Sequence, residues 1–567
     1  MRISAPWLAL TLCLAATAQA AQPNVVVILA DDMGFSDVAS YGGEIETPTL
    51  DRLAGAGVRF TQLYATPRCS PTRAALLSGR HPHAAGVGHL ADTGTDDPAY
   101  RGAIRHDVPT LPELLRPAGY RSYLAGKWHL DPANDPASPD APLARGFERY
   151  FGVMRGADDL WHPMSLARDR ERLPPPGDGF YLTDAISDAA AGFVRDHAAQ
   201  HPNAPFFLYV AYTAPHWPVQ APAEDIARFA GRYREGWDAL REERANRVAT
   251  LGLLPGGFQP APRNPGVPAW QGAEHPDWQR ARMRAYAGMV HRMDRGIGDV
   301  VRALEETGAL ENTLLVFLSD NGACPEALGS GNLWLRRVAG FWTPEHYGDD
   351  PAVEPGGPDS FQSYGRAWAG ASNAPFRGYK SGLYEGGIRS PGIVHWPAGL
   401  RHAPGSKLDD VAHVTDLAPT ALGLAGLDPP EGMDGRDLRP VLLGGERARG
   451  PLYWEHEGWR AVRDGDLKLV SRWRHPWELY DLAAPAGGGP AGRPLAALGG
   501  ERRRTALALV EPADPQRRRR SPGVERAAAG AAAAPGVPRP DPALRAGRSR
   551  PRAAENITLM DGRYLIE

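Results

Sequence analysis

Val25-Val26-Val27-Ile28-Leu29-Ala30 runs directly into Asp31-Asp32. An unbroken apolar run rich in valine suits a strand buried on both faces of a parallel sheet. The arrangement recurs. Leu314-Leu315-Val316-Phe317-Leu318-Ser319 leads into Asp320-Asn321. Phe206 to Tyr212 leads into Ala214-Pro215-His216, and Ser122 to Gly126 leads into Lys127-Trp128-His129. Helical spacing lies between these runs, from Thr49 to Gly57 and from Tyr286 to Thr307, the latter with Val290, Met293, Ile297, Val301 and Leu304 on one face. Strands alternating with helices predict an α/β sheet, and such sheets bind ligands beyond the carboxyl ends of their strands. All four runs end in residues capable of chemistry.

The chain has 567 residues, 43% of them hydrophobic, enough for a sizeable core. Its net charge of −3 does not point to nucleic acid or an anionic membrane. Residues 1–20 predict a signal peptide: Arg2 supplies the positive start, Trp7 to Leu14 the short apolar run, and Ala18-Gln19-Ala20 the cleavage site. The run falls short of the roughly 20 residues of a membrane span, so export to a periplasm or the exterior is expected. A catalytic domain is expected over 21–404. A C-terminal subdomain over 405–483 is expected to hold a helix at Val414 to Leu424, a hairpin around Asp464-Gly465 and a strand at Trp477 to Leu482, in a small antiparallel sheet. Residues 484–567 are an Ala/Arg/Pro/Gly-rich tail without core periodicity, read as disordered or as a product of a shifted frame.

Asp31, Asp32, Asp320 and Asn321 offer only oxygen ligands, from two strand ends, which favours a hard cation such as calcium or magnesium. Either pair alone is more often a turn or a cap. Cys69 is one of only three cysteines, and Cys13 lies in the leader, so a disulfide framework is not its role. A buried structural cysteine is the ordinary reading of a lone one, and a thiol nucleophile with a histidine base is another. Lys127 and His129, two apart, point the same way if the backbone is extended. His216 is held in a stiff Pro-flanked segment, and Lys380 precedes Glu385-Gly386-Gly387. In isolation each would be a structural or solvated group.

Together, Asp31-Asp32-Met33-Gly34, Cys69-Ser70-Pro71-Thr72-Arg73 with Ser78-Gly79-Arg80, Gly126 to His129, Ala214-Pro215-His216, Ser319 to Gly322 and Lys380 to Pro391 resemble the type I sulfatases of the alkaline phosphatase-like superfamily, most of all bacterial arylsulfatases. The resemblance runs from about Pro23 to Leu482. It implies a large mixed, mostly parallel sheet flanked by helices, with a smaller C-terminal α+β subdomain. It implies a sulfuric ester hydrolase that cleaves sulfate monoesters through a formylglycine made from Cys69 by a separate maturating enzyme.

The resemblance also implies one calcium ion on Asp31, Asp32, Asp320, Asn321 and the modified Cys69. Arg73 and Lys127 would hold the formylglycine hydrate and sulfate oxygens, His129 would act as base, and His216 with Lys380 would face the leaving oxygen. Two alternatives remain: a formylglycine hydrolase of phosphate or phosphonate esters, and a silent sulfated-glycan-binding protein if Cys69 stays a thiol. After Leu130 the sequence departs from many relatives, with Asp131 and a Pro-rich stretch. Specificity is expected in Ala91 to His106, Arg155 to Asp178 and Glu326 to Ala371, with Trp161, Trp334 and Trp342 as possible lining.

Overall fold

The run that ends in Asp31-Asp32 forms strand β1 (Asn24–Ala30), and its alternating side chains enter two different cores. Val26 and Ile28 pack on one face with Ile297, Val301 and Leu304. Val25, Val27 and Leu29 pack on the other with Leu76, Leu77, Ala418 and Leu422. Covering both faces removes water from the side chains of Val25 to Ala30, worth about 1.5–3 kcal/mol for each Val, Ile or Leu. The fold is that of a computed structural model that describes residues 22–329, 346–483 and 493–494. The expected leader, Trp334, Trp342 and nearly all of the tail lie outside the described residues.

The strands that follow are β2 (Val58–Tyr64), β3 (Arg121–Gly126), β4 (Arg149–Val153), β5 (Leu166–Arg168), β6 (Glu171–Arg172), β7 (Phe206–Ala211) and β8 (Thr313–Ser319). A separate two-stranded pair is made by β9 (His346–Tyr347) and β10 (Ser360–Phe361), after which come β11 (Arg389–His395) and β12 (Ser406–His413). Ten strands form one sheet in the order β12-β2-β11-β8-β1-β7-β3-β4-β5-β6. The central block from β8 to β4 is parallel, while β11 runs antiparallel to both β2 and β8. The sheet is therefore mixed but mostly parallel. The helices Leu182–Gln200 and Pro276–Glu306 cover one face, and Cys69–Ser78 and Leu417–Leu424 cover the other. The long helix begins at Pro276, well before Tyr286, with the proline in its first turn, where no intrahelical donor is needed.

A second, antiparallel sheet comprises β13 (Leu452–His456), β14 (Trp459–Asp464), β15 (Leu467–Ser471), β16 (Glu478–Asp481) and the short β17 (Arg493–Pro494). It seats on the first through a cluster of Tyr64, Leu383, Ile388, Leu452, Trp454 and Val470, and Trp454 Nε1 donates to Ala65 O at 3.0 Å. The segment Ser406–His413, expected in the smaller unit, instead pairs with β2 at the edge of the main sheet. Its charged Asp409-Asp410 sits at a register shift, as suits an edge strand. Among the described residues, no helix is long and apolar enough to cross a membrane.

Candidate active site

Strands β1 and β8 pair in parallel with Ala30 opposite Ser319, so the register alone brings Asp31 beside Asp320. Side chains then lock the two ends. Asp32 N donates to Asp320 Oδ1 at 3.1 Å, Met33 N to Ser319 Oγ at 3.0 Å, and Asn321 Nδ2 to Asp32 Oδ1 at 2.6 Å. Asp32 takes a left-handed backbone with φ +65°, a conformation that Asp tolerates better than most residues. The turn is braced from behind. Gly34 N and Tyr286 Oη donate to Asp37 Oδ2, each at 2.7 Å, and the fully buried Arg244 binds both Asp37 and Glu44.

Cys69 opens the helix Cys69–Ser78, all of whose residues are buried. The spacing of its motif now has a local cause. Pro71 falls in the first turn, which tolerates a missing N–H. Thr72 Oγ1 donates to Asp320 O at 2.6 Å, Ser70 Oγ accepts from Ala91 N at 3.1 Å, and Arg73 lies one turn on, beneath the carboxylates. Arg73 Nη1 donates to Lys127 O at 2.9 Å and Nη2 to Asp320 Oδ2 at 3.2 Å, with Asp31 Oδ2 at 3.6 Å. Cys69 and Cys324 are both free and buried.

The cationic groups close around this centre. Lys127 Nζ lies 2.5 Å from Asp31 Oδ2. His129 Nδ1 lies 3.4 Å from Cys69 Sγ. The backbone at His129 is left-handed, φ +51°, rather than extended, so Lys127 and His129 reach the site by a turn and not by strand alternation. Gly156 is what makes room: a Cβ there would stand 2.4 Å from the His129 ring. Lys380 Nζ donates to Asp32 Oδ2 at 2.7 Å and lies 3.2 Å from His216 Nε2. His216 Nδ1 is 2.6 Å from the carbonyl of Trp217, which can only accept, so Nδ1 carries hydrogen and Nε2 accepts from Lys380.

The electrostatics match this wiring. Burial would raise the Asp31 carboxyl, but Lys127, His216 and Arg73 hold it far below the usual range. Asp320 moves the other way, pushed well up by burial and by Asp31 beside it. Despite burial, Lys127, His129 and Lys380 draw the Cys69 thiol well below its ordinary value. Burial holds His216 down, against the pull of Asp32. His129 is raised in spite of burial by Cys69 and Asp92.

Within the oxygen cluster, Asp31 Oδ1 and Asn321 Oδ1 are buried without a hydrogen-bond partner. Ligand atoms of Asp31, Cys69 and Asp320 lie within 4.8 Å of one another. Crowded carboxylates, one of them driven towards protonation, and orphaned oxygens fit a hard dication held by oxygen ligands.

Two contributors carried no sequence signature. Asp92 Oδ1 lies 3.1 Å from His129 Nε2, and Glu326 binds Arg68 at 3.0 Å while accepting from Trp217 Nε1 at 3.0 Å. Both sit in segments singled out only as loops expected to set specificity. Asp131, the departure after Leu130, accepts from Ala133 N, Asp135 N and Ser138 Oγ and so organises the Pro-rich loop, leaving Lys127 and His129 in place. Trp161 packs against Tyr181.

The sequence profile of the family named Sulfatase matches residues 23–427. The chain belongs to the sulfatase family. A second profile, N-sulphoglucosamine sulphohydrolase, C-terminal, matches residues 379–486 of this sulfatase. The arylsulfatase of Klebsiella aerogenes is 35% identical over 456 residues, covering 76% of the sulfatase and 94% of that relative. An uncharacterized sulfatase of Schizosaccharomyces pombe is 35% identical over 513 residues, covering 83% and 90%. Among solved structures, Ps i-CgsB in complex with k-i-k-neocarrahexaose is 26% identical with a TM-score of 0.58, covering 81% of the sulfatase and 86% of that chain. The sulfatase is thus a hydrolase of the arylsulfatase type.

Proposed function

We propose that the chain hydrolyses sulfate monoesters, aryl or sugar, at residue 69, with Cys69 converted to formylglycine by a separate maturating enzyme. The observation that carries the reading is the convergence of Lys127, His129, His216 and Lys380 on Cys69 and the oxygen cluster. Asp31, Asp32, Asp320 and Asn321, with residue 69, would hold calcium, which would polarise sulfate oxygens and offset their charge. A formylglycine hydrate would supply one hydroxyl to attack sulfur and a second whose deprotonation releases sulfate.

The chain's own residues do the rest. Lys127, Lys380 and Arg73 offset the charge that spreads over the sulfate oxygens during transfer. His129 Nδ1 stands at the side-chain atom of residue 69, where it takes a proton, and Asp92 fixes its ring from the far side. His216 Nε2 already accepts from Lys380, so the mobile proton on the leaving-group side resides on Lys380 Nζ. Lys380 donates it, and His216 orients the ammonium through its Nε2 lone pair. Burial of Arg73, Lys127, His129, His216 and Lys380 keeps bulk water from screening them.

The test is mass analysis of the peptide around residue 69, together with rates on matched aryl sulfate and aryl phosphate. Formylglycine, lighter than cysteine, and a preference for the sulfate ester are expected. An intact thiol throughout active enzyme, or a large phosphate preference, overturns the proposal. We also propose that residues 1–20 direct export, which N-terminal sequencing of the mature protein checks.

A further inference from the structure

The turn between β13 and β14 brings His456 and Glu457 against His89, on the loop that leads into Asp92. His89 Nε2 lies 2.9 Å from Glu457 Oε1, and His456 Nε2 lies 3.8 Å from the same oxygen. The two imidazole rings stack, 5.1 Å between centroids and 17° between planes. One nitrogen from each histidine and one carboxylate oxygen lie within 4.8 Å of one another. None of the three residues belongs to the catalytic set.

Hydrogen bonding does not satisfy this group. His456 is 1% exposed, and its Nε2 is buried with no hydrogen-bond partner. At His89 the tautomer follows from Thr93. The Thr93 hydroxyl donates to Leu90 O at 2.8 Å, so towards His89 Nδ1, also at 2.8 Å, it can only accept. Nδ1 therefore carries the hydrogen, and the neutral ring presents a lone pair at Nε2 to a carboxylate oxygen. A cation must mediate that contact. A proton would serve His89 and Glu457 but leave His456 Nε2 alone, whereas one metal ion serves all three.

We propose that His89 Nε2, His456 Nε2 and Glu457 Oε1 form a second metal site that takes a zinc-class transition-metal dication. Two imidazoles and a carboxylate are the donors such ions prefer, unlike the all-oxygen cluster beside residue 69. Thr93 acts as the outer partner that sets the His89 tautomer. The His89 and Glu457 side chains are 27% and 33% exposed, so an ion reaches the site from solvent and its fourth position stays open to water. Arg68 places a like charge on the cluster, but its guanidinium is bound by Glu326 at 3.0 Å. The ion clips the second sheet to the loop that carries Asp92.

Cobalt(II) titration of protein in excess calcium, read by visible absorption, followed by displacement with zinc chloride in a calorimeter, tests the site. One equivalent of intensely coloured cobalt, displaced by zinc, is expected. The signal should vanish in His89→Ala and Glu457→Gln, both at partly exposed positions, while their thermal melts without metal stay close to wild type. Thr93→Val should weaken binding about 10–100-fold. Absence of stoichiometric binding, or binding unchanged in both ligand variants, overturns the proposal. Pale, weak binding that only Asp320→Asn removes assigns the metal to the oxygen cluster and also overturns it.

Discussion

Lys380 Nζ lies 2.7 Å from Asp32 Oδ2. The cation proposed to face the scissile ester is thus tied to a carboxylate of the oxygen cluster, and burial opposes its charge while Asp32 raises its pKa well above the ordinary lysine value. Substrate-side charge and cluster charge are one electrostatic unit, so neither can be removed alone without consequence.

Lys380→Met should therefore destabilise the calcium-free protein by about 3–5 kcal/mol, the usual cost of stranding one partner of a buried ion pair. Urea melts with chelator and with calcium measure it. Calcium should recover part of the loss, because a second positive charge then faces Asp32. Equal losses under both conditions would disconnect Lys380 from the cluster.

His216→Ala should slow esters with poor leaving groups far more than nitrophenyl sulfate. The reason is geometric: His216 Nε2 touches Lys380 Nζ at 3.2 Å but makes no contact with Cys69. Rates across a series of phenol leaving groups give the slope. A slope identical to that of wild type would remove His216 from the departure step.

Asp92→Asn keeps the size of the side chain but withdraws the charge that His129 faces at 3.1 Å. Against partial desolvation, that contact lowers the Asp92 carboxyl, whose side chain is 30% exposed, to about 2. We expect kcat to fall by about 100-fold with KM little changed, the scale of a compromised general base. A rise in KM at constant kcat would make Asp92 a substrate contact instead.

Acid stability has a separate source in His413. Burial, helped by Arg449, lowers its pKa to about 3. The unfolded chain takes up this proton near the ordinary histidine value of 6.5 and the folded chain does not. Stability is therefore full above about pH 6.5 and is lost as pH falls towards 3, by about 1.4 kcal/mol per unit within that window. His413→Asn keeps a capping acceptor at this N-cap position and should flatten the acid limb of the pH–stability curve. Parallel curves for the two proteins would count against His413.

Apolar runs ending in polar residues were enough to find β1, β3, β7 and β8, because strands buried on both faces write their burial directly into sequence. The strands that complete the sheet do not. β11 contains Pro391 and Gly392, both strand breakers, and survives because the register shifts between Ser390 and Gly392. β12 carries adjacent aspartates that only an edge can hold. The same divide runs through the site. Asp31, Asp32, Asp320, Asn321 and Cys69 stand at strand ends or in a spaced motif. Asp92 and Glu326 act from loops whose positions are fixed by distant packing, so nothing near them in sequence marks them.

β2, the strand that leads into Cys69, lies between β11 and β12 in the sheet. Both come from far later in the chain, so they do not yet exist when residue 69 leaves the ribosome. The helix that starts at Cys69 also packs on Leu417–Leu424, later still. Contacts this distant in sequence form late. Residue 69 therefore stays accessible during elongation, then falls to 2% exposure once the sheet closes. Under the proposed maturation, the strand order would work as a timer, setting how long another protein could reach this side chain before the fold shuts it in.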